Sequence, residues 1–230
     1  MLKQIPAHKV LFLDIETVPM VQNWSDLTPE FQGLWSKKVE RQLTETDTAE
    51  DFYQQRAGIL SEFGKIICIS CGIIVKDKLR LTSFYGHDEK IVLEGFIEML
   101  QSKYFSAGVI LCAHNGKEFD FPYMARKMLI NGLELPNALN MQGKKPWEIP
   151  HLDTMELWKF GDYKHYTSLN LLAAVFGVPT PKDDIDGSQV ASVYYEENDL
   201  ERIKIYCEKD VLTVAQIFRK FRNEVLLEVE

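Results

Sequence analysis

The sequence has no excess of positive charge: 26 Lys and Arg stand against 34 Asp and Glu, a formal net charge of −8. This excludes a surface that attracts duplex phosphate everywhere, so any contact with nucleic acid must be local. No apolar run approaches the roughly 20 residues that span a bilayer, and the start MLKQIPAHKV lacks the apolar stretch and cleavage site of a secretory signal. We therefore expect a soluble, cytoplasmic protein without membrane contact. Cysteine is scarce. Cys68, Cys71, Cys112 and Cys207 lie in or beside apolar runs, which suits buried free thiols in a reducing compartment rather than a disulfide framework. Cys68 and Cys71 spell C-x-x-C, but three residues along a strand point the two sulfurs to opposite faces, and no second pair exists. The five histidines show no H-E-x-x-H or other paired metal spacing, and there is no Gly-x-x-x-x-Gly-Lys phosphate loop.

What is present is a chain of 230 residues, 46% hydrophobic and 26% charged, enough for one substantial core. KVLFLDIET opens with consecutive apolar residues, the mark of a strand buried on both faces, and ends in charge before Pro19. From about 23 to 60 the chain turns polar, with Trp24, Phe31, Leu34 and Trp35 at near-helical spacing, which predicts a helical insertion. GKIICISCGIIV and KLRLTSFYG predict a hairpin turning at Lys76-Asp77. Asp88 can cap a helix carrying Ile91, Val92, Phe96, Ile97 and Leu100, and GVILCAHN predicts another buried strand. FPYMARKMLINGL reads as a helix closed at Asn131-Gly132, residues 133–151 as loop, and LNLLAAVFG as a helix capped by Thr167 or Ser168 and closed by Gly177. A loop PTPKDDIDG, a helix opening in SQVASVYYEE and a last helix from about Asp199 to Leu227 complete the chain. No repeat or linker divides it, so we expect one α/β domain over residues 1–230, with the insertion at about 23–60.

Three groups of acids stand at element ends. Asp14 and Glu16, two apart on the first strand, emerge on one face at its carboxyl end, where α/β sheets place their ligands. Two like charges side by side repel unless a cation compensates, so the pair reads either as a metal site or as a solvated strand end. Asp120 closes CAHNGKEFD where a helix begins; it reads as an N-cap or as a third acid beside Asn115 and Phe119. Tyr206 and Asp210, four apart in RIKIYCEKDVLTV, share one helix face with Ile203 and Thr213. Alone, they also fit the border of a buried stripe. Thr17 and Asn115 can hydrogen-bond a terminal nucleotide, and Phe119 can stack on a base or belong to the core. Lys159, Tyr163, Lys164 and Tyr166 in KFGDYKHYTS suit either a backbone-binding stretch or a polar loop.

In this order, DIE at 14–16, N-x-x-x-F-D at 115–120 and Y-x-x-x-D at 206–210 resemble the three exonuclease motifs of the DEDD superfamily in its tyrosine-bearing form. Residues 63–70, GSQV at 187–190 and YCEKDV at 206–211 are also similar to the predicted exonucleases related to the proofreading domain of family-B DNA polymerases. The resemblance implies a ribonuclease-H-like fold, a mixed and roughly five-stranded sheet with helices on both faces. It implies hydrolysis of nucleic acid from the 3′ end, with single-stranded DNA as the expected partner and RNA or a non-catalytic binding module as alternatives. Converging carboxylates need cations, and hard oxygen ligands select Mg²⁺ or Mn²⁺, two ions bracketing the scissile phosphate. By resemblance, Asp14 bridges the two ions, Glu16 and Asp210 complete one site, and Asp120 serves the other mainly through water. Tyr206 then orients the attacking water, since a phenol with a pKa of about 10 is a poor base at neutral pH. Asp153, in HLDTMEL, where similar family members carry an acid, reads either as a structural residue or as one that supports the site from outside it.

Overall fold

Strand β1 (Val10–Pro19) is the centre of the protein, and its alternation decides what lies on either side. The computed structural model describes residues 2–105, 108–162, 166–179 and 185–228. After β1 come α1 (Pro29–Val39) and α2 (Ala49–Arg56), then the hairpin β2 (Gly64–Val75) and β3 (Lys78–Tyr85). Next are α3 (Glu89–Gln101), β4 (Ile110–Ala113), α4 (Asp120–Ile130), β5 (Leu152–Asp153) and α5 (Thr154–Lys159). The chain continues through α6 (Leu169–Phe176) and the short α7 (Val190–Ser192) to the long α8 (Leu200–Phe221). The sheet order is β3-β2-β1-β4-β5, with β1 antiparallel to β2 and parallel to β4. Lys76 and Asp77 turn the hairpin with φ of 51° and 64°, the paired positive values a tight two-residue turn requires.

One face of β1 buries Leu11, Leu13 and Ile15 against Phe96 of α3 and Met124 and Met128 of α4. Val10 and Phe12 take the other face, against Val211, Val214 and Phe218 of α8, with the Phe12 and Phe218 rings edge to face at 5.2 Å. Asp14 and Glu16 continue the Val10–Phe12 row, so period-two geometry aims both carboxylates at α8. The same alternation separates Cys71, in the α3 and α4 core, from Cys68, which pairs across the sheet with Glu16; all four cysteines are buried and free. The insertion has its own cluster around the fully buried Trp35 and Tyr53, closed by Phe63 at the foot of β2. Trp35 Nε1 donates to Ala49 O at 2.7 Å and ties α1 to α2.

Several sequence expectations are corrected. Ile91 faces solvent, and Leu93 is buried in its place. Asp88 caps α3 as expected, donated to by the N–H groups of Lys90 and Ile91, and Ser168 rather than Thr167 caps α6. The last helix stops at Phe221 rather than Leu227: Asn223 takes a φ of 62°, and the Arg222 guanidinium turns back to the carbonyls of Leu2 and Ile5. SQVASVYYEE forms only the three residues of α7 and a π-type turn, Val193–Glu197, closed by Asn198 at φ 54°. β5 and α5 are too short for periodicity to reveal. Within PTPKDDIDG, residues 180–184 lie outside the described residues, as do Tyr163, Lys164 and His165. No helix among the described residues is long and apolar enough to cross a membrane.

Candidate active site

Three elements converge at the carboxyl end of β1. Between Glu16 and Thr17 the β1–β2 register shifts, leaving Ile67 without a partner on β1. Such bulges re-aim side chains beside sites, and here the shift falls directly after the second acid. α8 crosses this face carrying Ile203, Tyr206, Cys207 and Asp210 on one stripe, because residues three and four apart neighbour one another on a helix. Ile203 and Cys207 are fully buried and anchor the stripe, leaving Tyr206 and Asp210 half-buried at its edge. Asp120 enters from the start of α4. It does not cap that helix: Phe119 holds the cap position without a side-chain bond, and Asp120 is the first helical residue. Its carboxylate, 2% exposed, instead accepts from the backbone N–H of Ile15 and from its own. That bond joins α4 to β1 between Asp14 and Glu16.

The electrostatics follow from this crowding. Burial first, then the charges of Glu16, Asp210 and Asp120, push the Asp14 carboxyl well above the ordinary range, opposed by the Cys207 thiol. Glu16 is raised by burial, then chiefly by Asp210, while a hydrogen bond from Asp14 acts the other way. Asp120 is pushed up to about 7, again by burial first, with Asp153 and Asp210 adding to it against the two backbone N–H groups. Tyr206 is raised by burial, then by Asp210, Glu16 and Asp14, and is hydrogen-bonded to Asp210. The strongest charges acting on these acids are all negative, so they cannot all ionise together without a cation. Oxygen donors on one strand and two helices form the donor set of a hard divalent ion. Ligand atoms of Asp14, Glu16 and Cys207 lie within 4.8 Å of one another.

Asp14, Glu16, Asp120, Tyr206 and Asp210 are thus brought together. Asn115 stands on the neighbouring loop with φ 64°, and its Oδ1 is buried without a hydrogen-bond partner. Thr17 and Phe119 are placed differently. Thr17 lies on the opposite face of β1 from the carboxylates and hydrogen-bonds the hydroxyl of Tyr123 on α4. Phe119 is half-buried and packs on the Tyr123 ring, with centroids 5.3 Å apart. Asp153 is buried beneath the Asn115 loop and accepts four backbone N–H groups, from Asn115, Lys117, Met155 and Glu156, at 2.9–3.3 Å. Cys207 was not singled out from the sequence. Its thiol lies 3.4 Å from both Asp14 O and Asp14 Oδ2, and the available signal was its place beside Tyr206, four residues after Ile203 and three before Asp210.

A mixed five-stranded sheet with acids on its central strand and on the helices of both faces is a ribonuclease-H-like α/β fold that carries a cluster of acids. Residues 59–225 match the model of a family described as the predicted 3′-5′ exonuclease related to the exonuclease domain of PolB, and the chain belongs to that family. The matched span holds Asp120, Tyr206 and Asp210; β1, with Asp14 and Glu16, precedes it. The fold is also similar to that of the family B DNA polymerase from the hyperthermophilic archaeon Pyrobaculum calidifontis. That likeness has a TM-score of 0.54 and 15% identity over 91% of this chain, which spans 24% of the polymerase.

Proposed function

We propose that the protein is a divalent-metal-dependent 3′-to-5′ exonuclease that removes nucleotides from single-stranded DNA. The observation that carries this reading is the meeting of Asp14, Glu16, Asp120 and Asp210, held in a largely buried space where Glu16, Asp210 and Asp120 all raise the pKa of Asp14 and where Asp210 raises Glu16 and Asp120 as well. Asp14, Glu16 and Asp210 would hold one Mg²⁺ or Mn²⁺, with Asp14 shared and Asp120 serving a second. When bound, such ions neutralise the carboxylates and supply positive charge on both sides of an in-line phosphoryl transfer. Asp14 and Glu16 are fixed by β1, Asp120 by the Ile15 N–H, and Asp210 by α8, so the acids are oriented before substrate arrives. Tyr206 stays a neutral phenol at every physiological pH, which suits a group that orients the attacking water rather than one that removes its proton. The buried, unpartnered Oδ1 of Asn115 is an acceptor for a hydroxyl or amino group of the terminal nucleotide. We place the protein in the cytoplasm.

The test is incubation with 5′-labelled single-stranded DNA and RNA, with Mg²⁺, with Mn²⁺ and with chelator, beside the Asp14→Ala/Asp210→Ala variant. A metal-dependent ladder shortening from the 3′ end of DNA, absent in the double variant, is expected. Cleavage of RNA alone would reassign the sugar, and intact substrates with no Mn²⁺ binding would leave a binding module. Tyr206→Phe should slow hydrolysis about tenfold, the worth of one orienting hydrogen bond of about 1.4 kcal/mol, while Mn²⁺ affinity by calorimetry stays within about twofold of wild type. Loss of Mn²⁺ binding as complete as in Asp14→Ala would remove tyrosine from the role given to it.

A further inference from the structure

Phe160 is costly twice over. It ends α5 in the left-handed region, φ 44° and ψ 35°, a conformation that suits glycine and strains any residue with a Cβ. The residue is 89% exposed, so no packing offsets that strain. Glycine stands next to it at position 161, one residue too late to relieve it. Lys159 and Asp162, neighbours of Phe160 in the chain, line a groove of about 470 Å³ together with Trp158, Tyr166, Thr167 and Leu171. Tyr166 is 70% exposed and Leu171 56%. The rim of the groove is tied to the loop of the candidate active site. Thr167 O accepts from His114 Nε2 at 2.8 Å, and the next residue is Asn115. At the other end, α5 starts at Asp153, whose carboxylate holds the Asn115 backbone.

We infer that Phe160 and Tyr166 form a stacking subsite for bases of a single-stranded nucleic acid, upstream of the 3′ end. Unpaired bases offer flat faces to exposed rings, which a duplex hides, and Lys159 supplies a positive charge in the groove for the backbone. A chain with a net charge of −8 has little long-range hold on a polyanion, so retention of the strand falls to contacts of this kind. The inference rests on the proposed function only for the identity of the polymer.

Fluorescence anisotropy with a labelled single-stranded 20-mer, in chelator so that nothing is hydrolysed, reads the subsite apart from catalysis. Phe160→Gly should weaken binding about tenfold, the range of one base–aromatic stack, without lowering the thermal midpoint, because glycine accepts the left-handed conformation. Phe160→Trp should bind as wild type or tighter, and Tyr166→Ala should weaken binding again. A mononucleotide p-nitrophenyl ester, which reaches only the carboxylates, should be hydrolysed at unchanged rate by all three variants. Wild-type binding by Phe160→Gly, or failure of Phe160→Trp to retain what glycine loses, would overturn the subsite and point to another occupant of this face. Loss of hydrolysis in the wild-type protein with strand binding intact would overturn the exonuclease reading alone.

Discussion

Asp14, Glu16 and Asp120 are folded into positions that oppose their ionisation, and the sign of the effect on stability follows. A carboxyl whose pKa is raised by folding stabilises the protein fully below its unfolded value, near 4, and loses that contribution as pH rises through the folded value. For Asp120 this window closes at about 7. In chelator, the thermal midpoint should therefore fall as pH rises from about 5 to about 7.5, and Mn²⁺ should restore it at the upper end by binding the ionised form. Asp120→Asn should flatten this slope, raise the metal-free midpoint above pH 7, and abolish nuclease activity. Scanning calorimetry across that range is the check, and a metal-free midpoint that rises with pH would remove the electrostatic account. Part of this was legible in sequence: a spacing of two puts Asp14 and Glu16 on one face, and a spacing of four does the same for Tyr206 and Asp210. The contact of Cys207 with Asp14 was not, because a single thiol at the edge of an apolar run looks the same whether it fills a core or touches a carboxylate. Nor could local pattern show that Thr17 turns to Tyr123, since that partner lies on another element.

Among the elements, those with long periodic runs were legible and those fixed by tertiary contacts were not. β1, the β2–β3 hairpin, α3, α4 and α8 each carry enough alternating or 3.6-spaced apolar residues to declare themselves. β5, two residues long, exists because Cys112 and Ala113 of β4 offer it a parallel edge, and α5 follows because Asp153 caps it. The same carboxylate binds the N–H groups of Asn115 and Lys117, so one acid ties the end of the sheet to the loop between Asn115 and Asp120. Asp153→Asn removes the charge and turns an amide NH₂ toward N–H donors. It should cost about 3 kcal/mol, the scale of losing charged hydrogen bonds in a buried place, and lower kcat at saturating Mn²⁺ by displacing Asn115 and Asp120. Denaturant titration and single-turnover kinetics check the two halves. Full activity with reduced stability would make Asp153 a support of α5 alone.

At the scale of the molecule, the insertion is joined to the end of the sheet that carries the acids. Met20 N donates to Phe63 O at 2.8 Å, Tyr53 hydroxyl to Val21 O at 3.2 Å, and Tyr123 hydroxyl on α4 to Gly58 O at 2.8 Å. Trp35 lies at the middle of this cluster, with the rings of Tyr53 and Phe63 edge-on at 5.3 and 5.0 Å. The family match begins at residue 59, so α1 and α2, like β1, precede the matched span. Whether they melt with the sheet or before it depends on how strongly the cluster couples through Phe63, which sits where β2 begins. Because Phe63 and Tyr123 belong to both sides of the junction, we expect one cooperative unit. Trp35→Ala should then cost about 3–5 kcal/mol, as deletion of a large buried aromatic does, and lower the single thermal midpoint by about 10 °C in a chain of this size. Calorimetry read beside limited proteolysis at 40–48 decides it. Two separated transitions, or cleavage of that segment with an unchanged main midpoint, would show that the insertion folds on its own and that the acidic end of the sheet stands without it.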